Sequence, residues 1–178
     1  MSVELDLPSL AGWMRDAGEP VTGSLRGARV GQGQSNLTYR IDDEAGRSWI
    51  ARRPPLGHLL ASAHDVAREF RIISALQSTG VPVPATVGVC EDPAVADVPV
   101  VIMEHVEGTV IDDEEAARKL APEVRRRLGL ELARTLAKIH VVDIDAVGLG
   151  DLASRKPYAP RQLKRWSRQL EESRTQDR

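Results

Sequence analysis

Aromatic residues are scarce in this sequence, with one Phe, two Tyr and three Trp among 178 positions. Binders of single-stranded nucleic acid stack successive bases on aromatic side chains, and so few rings cannot furnish that platform. A basic excess is missing too. Lys and Arg number 24 against 26 Asp and Glu, a formal charge of -2 with an isoelectric point near 6.1. Duplex binders draw much of their affinity from neutralising phosphates, so no nucleic-acid partner is expected. The run Arg125, Arg126, Arg127 lies beside Glu123 and Glu131 and reads as a solvated helix face. The one cysteine, Cys90, cannot form an internal disulfide, which fits a reducing compartment. Set in an apolar stretch, it reads as a small buried hydrophobe and not as a nucleophile. No apolar run approaches the roughly 20 residues that cross a bilayer. The opening residues carry early acids and no basic region before an apolar core, so no secretory leader and no membrane partner are expected. A soluble, cytoplasmic protein follows as the expectation. His58, His64 and His105 have no companion ligands at metal spacing, and no Ser/His/Asp or Cys/His set presents itself.

What is present suits a globular core: 42% of residues are hydrophobic and 28% charged. Residues 5–17 read as a leading helix, with Leu7, Leu10 and Met14 at helical spacing and Gly18 as the stop. The period then changes to two. A weak strand over 25–30, an alternating strand over 37–41 and a third over 48–52 make a meander joined by short loops. Pro54 and Pro55 end it, because proline cannot donate to a ladder. A helix follows, opened by Ser62 and Asp65 three apart and carrying Val66, Phe70 and Ile73 as its apolar stripe. Strands are expected over 85–90 and 98–103, the second apolar at nearly every position and therefore central. After Gly108 the pattern becomes helical: 113–120, then a long helix from Pro122 with Val124, Leu128, Leu132, Leu136 and Ile139 on one face. A last amphipathic segment opens at Pro160, with Leu163, Trp166 and Leu170. Trp13, Trp49 and Trp166 read as packing residues.

The chemistry-bearing constellation begins at Gly31-x-Gly33-x-Ser35-Asn36, a glycine turn between two strands. Glycine lets a backbone approach a ligand and leaves N–H groups for phosphate oxygens, although a hairpin turn alone would also want it. Arg52 stands at the end of the third strand, where a cation reaches phosphates under such a loop. Glu69 is flanked on its helix by Val66 and Phe70, so it borders the buried stripe and needs a partner. Arg52 is that candidate.

These motifs, in this order, resemble the aminoglycoside and choline phosphotransferase superfamily, whose fold is related to the protein kinases. The resemblance rests on Gly33-Gln34-Ser35-Asn36, Arg52-Arg53-Pro54-Pro55, the Arg68-Glu69 helix, Gly80-Val81-Pro82-Val83-Pro84, Met103-Glu104 through Gly108, and the stretch 140–149. It covers roughly residues 25 to 170 and is closest to the branch found with acyl-CoA dehydrogenases. It implies an α+β chain: a kinase-like N-lobe, with a five-stranded antiparallel sheet and one packed helix, followed by the first helices of an incomplete C-lobe. The implied divisions are a leading helix over 1–23, a nucleotide-binding lobe over 24–108, and a helical start of the second lobe over 109–178. It assigns Gly31, Gly33, Gln34, Ser35 and Asn36 to the phosphate loop, Arg52 to the strand-three cation that is lysine in many relatives, and Glu69 to its brace. Met103, Glu104 and Val106 become the hinge, whose backbone would meet the adenine of ATP. Arginine keeps the charge of lysine with a different reach.

Family members also carry a His-Gly-Asp-x-x-x-x-Asn loop and a later aspartate that hold the substrate hydroxyl and magnesium. Neither occurs in these 178 residues. His140 is followed by Val141-Val142-Asp143, which is not that loop. Phosphoryl transfer depends on positioning and on metal-neutralised charge. The expectation is therefore the ATP-binding portion of a small-molecule O-phosphotransferase, truncated and inactive as it stands. Its apolar helix faces would invite self-association. A stand-alone, non-catalytic module for a nucleotide or a partner is the alternative. The acceptor is open among aminoglycoside, choline-like amine, sugar and hydroxy-acyl compounds, with a slight tilt to the last.

Overall fold

A computed structural model describes residues 5–31, 36–55, 65–152 and 157–172. They fall into two compact units, Met1–Asp143 and Ile144–Arg178.

In the first unit, helix α1 spans Leu7–Asp16. The Asp6 carboxylate accepts from the Ser9 amide at 2.8 Å and caps it, and Gly18, at φ +91°, lets the chain turn away. Strands β1 (Arg26–Val30), β2 (Leu37–Asp42) and β3 (Ser48–Arg53) form the meander. The β2–β3 turn needs Gly46 at φ +81°. Asp43 ties that turn down by accepting from the amides of Thr22 at 3.0 Å and Arg47 at 2.8 Å. Helix α2 (Val66–Leu76) precedes β4 (Thr86–Cys90) and β5 (Val100–Glu104). The sheet is antiparallel throughout, in the order β1-β2-β3-β5-β4.

Alternation gives the sheet two different faces. Tyr39, Ile41, Trp49, Ala51 and Ile102 turn to the side of α1, where Leu10, Ala11 and Met14 are buried against them. The other side carries Ile50, Val101 and Met103 toward α2, which contributes Val66, Phe70 and Ile73. Residues 100–103 are all buried because β5 is central and covered on both faces, the reason its apolar run is unbroken. Cys90 is buried and its thiol is pushed up by that burial, as expected of a core residue.

Helix α3 (Glu114–Arg118) is capped by Asp113, and α4 runs Pro122–His140. The apolar residues of α4 are exposed: Leu128, Leu132, Leu136 and Ile139, Leu132 at 72%. A 3.6-residue period records that a face was selected to be apolar, not what covers it. The α2 cap is Asp65, whose carboxylate accepts from the Arg68 amide at 2.8 Å; Ser62 lies outside the described residues.

The second unit holds a 3-10 turn at Gly150–Leu152 and helix α5, Tyr158–Glu172. Trp166 was expected to pack but is 68% exposed, its indole N–H donating to Gln162. Leu163 and Leu170 are exposed beside it. No helix of the described residues is long and apolar enough to cross a membrane.

Candidate functional site

Arg52 and Arg53 are consecutive on β3, so the pleat sends them to opposite faces. Arg53 goes to the α1 face and is fully buried. Its guanidinium stands 6.0 Å from the Tyr39 ring centroid and donates to the Pro54 carbonyl at 3.1 Å, and burial pushes its pKa down. Arg52 goes to the α2 face and meets Glu69, Nε to Oε2 at 2.9 Å. The Nε–H does not point along that line, so the contact is an ion pair and not a directed hydrogen bond. The side chains are 36% and 39% exposed, so solvent screens the pair and it adds at most about 1 kcal/mol to stability. Such a pair contributes little to holding the sheet, and its charge remains available to a ligand.

The pair sits in the wall of a cavity of about 230 Å³, lined otherwise by Ile50, Ile72, Ile73 and Met103. A cation and carboxylate at the edge of an apolar hollow suit a ligand with a flat apolar part and an anionic part. Ile50, Ile72 and Ile73 were not picked out from the sequence as site residues. Period two places Ile50 on the face of Arg52, and the helical period places Ile72 and Ile73 one turn from Glu69, so the signal was present.

The rest of the expected site is distributed as follows. Gly31, at φ +76°, ends β1, a conformation that favours glycine. Asn36 immediately precedes β2, and its side-chain oxygen is buried without a hydrogen bond. Gly33, Gln34 and Ser35 lie outside the described residues. Met103 lines the cavity. Glu104 closes β5 and is held twice by Ala85, its amide donating to the Ala85 carbonyl at 2.8 Å and its carboxylate accepting from the Ala85 amide at 3.0 Å. Val106 is exposed.

On the same sheet face, Asp42 accepts from Ser48 Oγ at 2.5 Å and from Arg40 Nε at 2.8 Å. Burial pushes its carboxyl up, but the bonds from Ser48 and Arg40 and the charges of Arg40 and His105 outweigh that and hold it below its ordinary value. Among the described residues no three His, Cys, Asp or Glu gather as a metal site.

Known proteins resemble this chain in sequence and in fold. The family model described as "Phosphotransferase enzyme family" matches residues 26–178. Acyl-CoA dehydrogenase IBR3 of Arabidopsis thaliana is 40% identical over 146 residues, which is 80% of this chain and 18% of that protein. Acyl-CoA dehydrogenase family member 10 of Mus musculus is 36% identical over 86% of this chain and 14% of its own length. Family member 11 of Homo sapiens is 31% identical over 84% and 19%. The chain thus spans less than a fifth of the length of these relatives. A solved structure from Ralstonia eutropha, assigned as an aminoglycoside phosphotransferase, superposes with a TM-score of 0.75 at 32% identity, covering 97% of this chain and 49% of that one. With the family pattern running from β1 to the last residue and a solved phosphotransferase fold shared along nearly the whole chain, the protein belongs to the phosphotransferase enzyme family.

Proposed function

We propose that residues 24–108 are the ATP-binding lobe of a small-molecule O-phosphotransferase, that residues 109–178 begin its second lobe, and that these 178 residues alone transfer no phosphate. One observation carries the reading: Arg52 on β3 and Glu69 on α2 meet at 2.9 Å in the wall of an apolar cavity. ATP would supply the transferable phosphoryl group. The Arg52 guanidinium would neutralise and grip its phosphates, and Glu69 would hold that guanidinium in place. Ile50 and Met103 offer the apolar wall an adenine needs, and the expected hinge 104–106 follows Met103 directly in the chain. Gly31 and Asn36 bracket the phosphate loop, and the orphaned Asn36 side-chain oxygen marks a polar atom there with no internal use.

Magnesium does not fit the described residues, which gather no three suitable donors. Its ligands and the group that orients the acceptor hydroxyl would belong to further polypeptide. The relatives named as acyl-CoA dehydrogenases favour a hydroxyl-bearing acyl compound as acceptor. A single buried thiol suits a cytoplasmic setting.

The test is titration with a fluorescent ATP analogue. Saturable binding with Kd on the order of 0.001–1 mM, the range of enzyme substrates, and displacement by unlabelled ATP are expected. Binding that excess ATP cannot displace overturns the proposal.

A further inference from the structure

Helix α2 rests on the sheet along a narrow stripe, Val66, Phe70 and Ile73, of which Val66 alone is buried outright. A stripe so narrow fixes the distance of a helix from a sheet better than its rotation about its own axis. Polar contacts flank the stripe on both sides. Glu69 reaches Arg52 on one side. Ser74, five residues on and so about 140° round the axis, stands on the other. Its Oγ lies 3.0 Å from Thr86 Oγ1, and Gln77 Nε2 donates to that same oxygen at 2.6 Å.

Thr86 faces α2 because β4 is bulged. The pairing runs Cys90 to Val100, Val89 to Val101 and Gly88 to Ile102, and then Met103 meets Thr86 in place of Val87. Strict alternation would turn Thr86 to the α1 face. The extra residue instead leaves Val87 with Gly88 on the α1 side, Val87 in the α1 core and Gly88 against Trp13. The hydroxyl is thereby aimed at the end of α2 farthest from Glu69's ion pair.

We propose that Thr86 is a positioning residue for the nucleotide site. Its hydroxyl, shared by Ser74 and Gln77, sets the rotation of α2 at which Glu69 meets Arg52. The inference rests on the nucleotide reading above.

Thr86→Val keeps the side chain's shape and removes the hydroxyl. In the analogue titration it should weaken binding about 3- to 10-fold, the scale of one net hydrogen bond, with Thr86→Ser within about 2-fold of the parent. The decisive comparison adds Glu69→Gln. If Thr86 acts through Glu69, its effect on affinity disappears in the Glu69→Gln background, while the fall in unfolding midpoint is the same in both. Gln77→Met, at the exposed end of the helix, provides a second variant should Thr86→Val fold poorly. Equal affinity losses in both backgrounds, or none in the folded variants while Arg52→Met still weakens binding, overturn the role of Thr86 and leave the nucleotide site standing. Absence of displaceable binding in the parent protein defeats the nucleotide reading itself, and this proposal with it.

Discussion

Leu10→Ala should destabilise the first unit by about 3–4 kcal/mol. Leu10 is fully buried on the face of the sheet opposite Arg52, in one cluster with Met14, Ile41, Trp49 and Ile102. Removing three carbons forfeits roughly 0.8 kcal/mol each, about 2.4 kcal/mol together. The void adds about 1 kcal/mol where neighbours cannot close in. These neighbours are constrained: the Trp49 indole N–H is anchored on Glu19 at 2.9 Å, and Ile102 lies in a central strand. The assay is urea unfolding followed by tryptophan fluorescence, with an unchanged denaturant slope and an unchanged nucleotide affinity. Because α1 precedes the residues matched by the family model, the experiment also asks whether α1 belongs to the fold. A loss below about 1 kcal/mol, the range of a surface change, would show that α1 is not packed as described and would refute the reasoning.

Gly88→Val should cost about 1–3 kcal/mol by overpacking, since even a Cβ there stands 3.0 Å from Trp13 Cη2 and 3.3 Å from Cζ2. The same unfolding assay should find most of that cost relieved in a Trp13→Leu background. Asp42 titrates below its ordinary 3.8, so its contribution to stability is complete above that pH and is lost as pH falls through 3.8 toward the folded value. Unfolding measured from pH 7 to pH 3 should therefore find the stability gap between the parent and Asp42→Asn closing in the acid range; a gap that widens there contradicts the assignment.

Strand and helix identities were legible where side chains alternate or recur. The period-two run at 37–41, the unbroken apolar run at 100–103 and the stripe Val66–Phe70–Ile73 all sit where their spacing placed them. The meeting of Arg52 with Glu69 was legible for the same reason, since each borders a stripe whose facing direction its period declares. Other features depend on geometry that no local pattern encodes. The bulge at Thr86/Gly88 shifts a face by one residue without a distinguishing sequence signal. The burial of Arg53 beside Tyr39 runs against the usual exposure of arginine. Trp166 and the α4 face show the limit in the other direction. Apolar composition at helical spacing shows that a surface avoids water, and it does not say which partner covers it.

The most direct test of the account compares Arg52→Met with Arg53→Met, two neighbours of identical chemistry on opposite faces of one strand. Nucleotide affinity and urea stability are measured on both variants. Arg52→Met should lose at least about tenfold in affinity, the worth of a charge-assisted contact, with stability changed by less than about 1 kcal/mol. Arg53→Met, which alters a fully buried side chain, should change stability while any folded fraction binds nucleotide as the parent does. Normal binding by Arg52→Met, or loss of binding by a stably folded Arg53→Met, would contradict the placement of the nucleotide on the Arg52–Glu69 face.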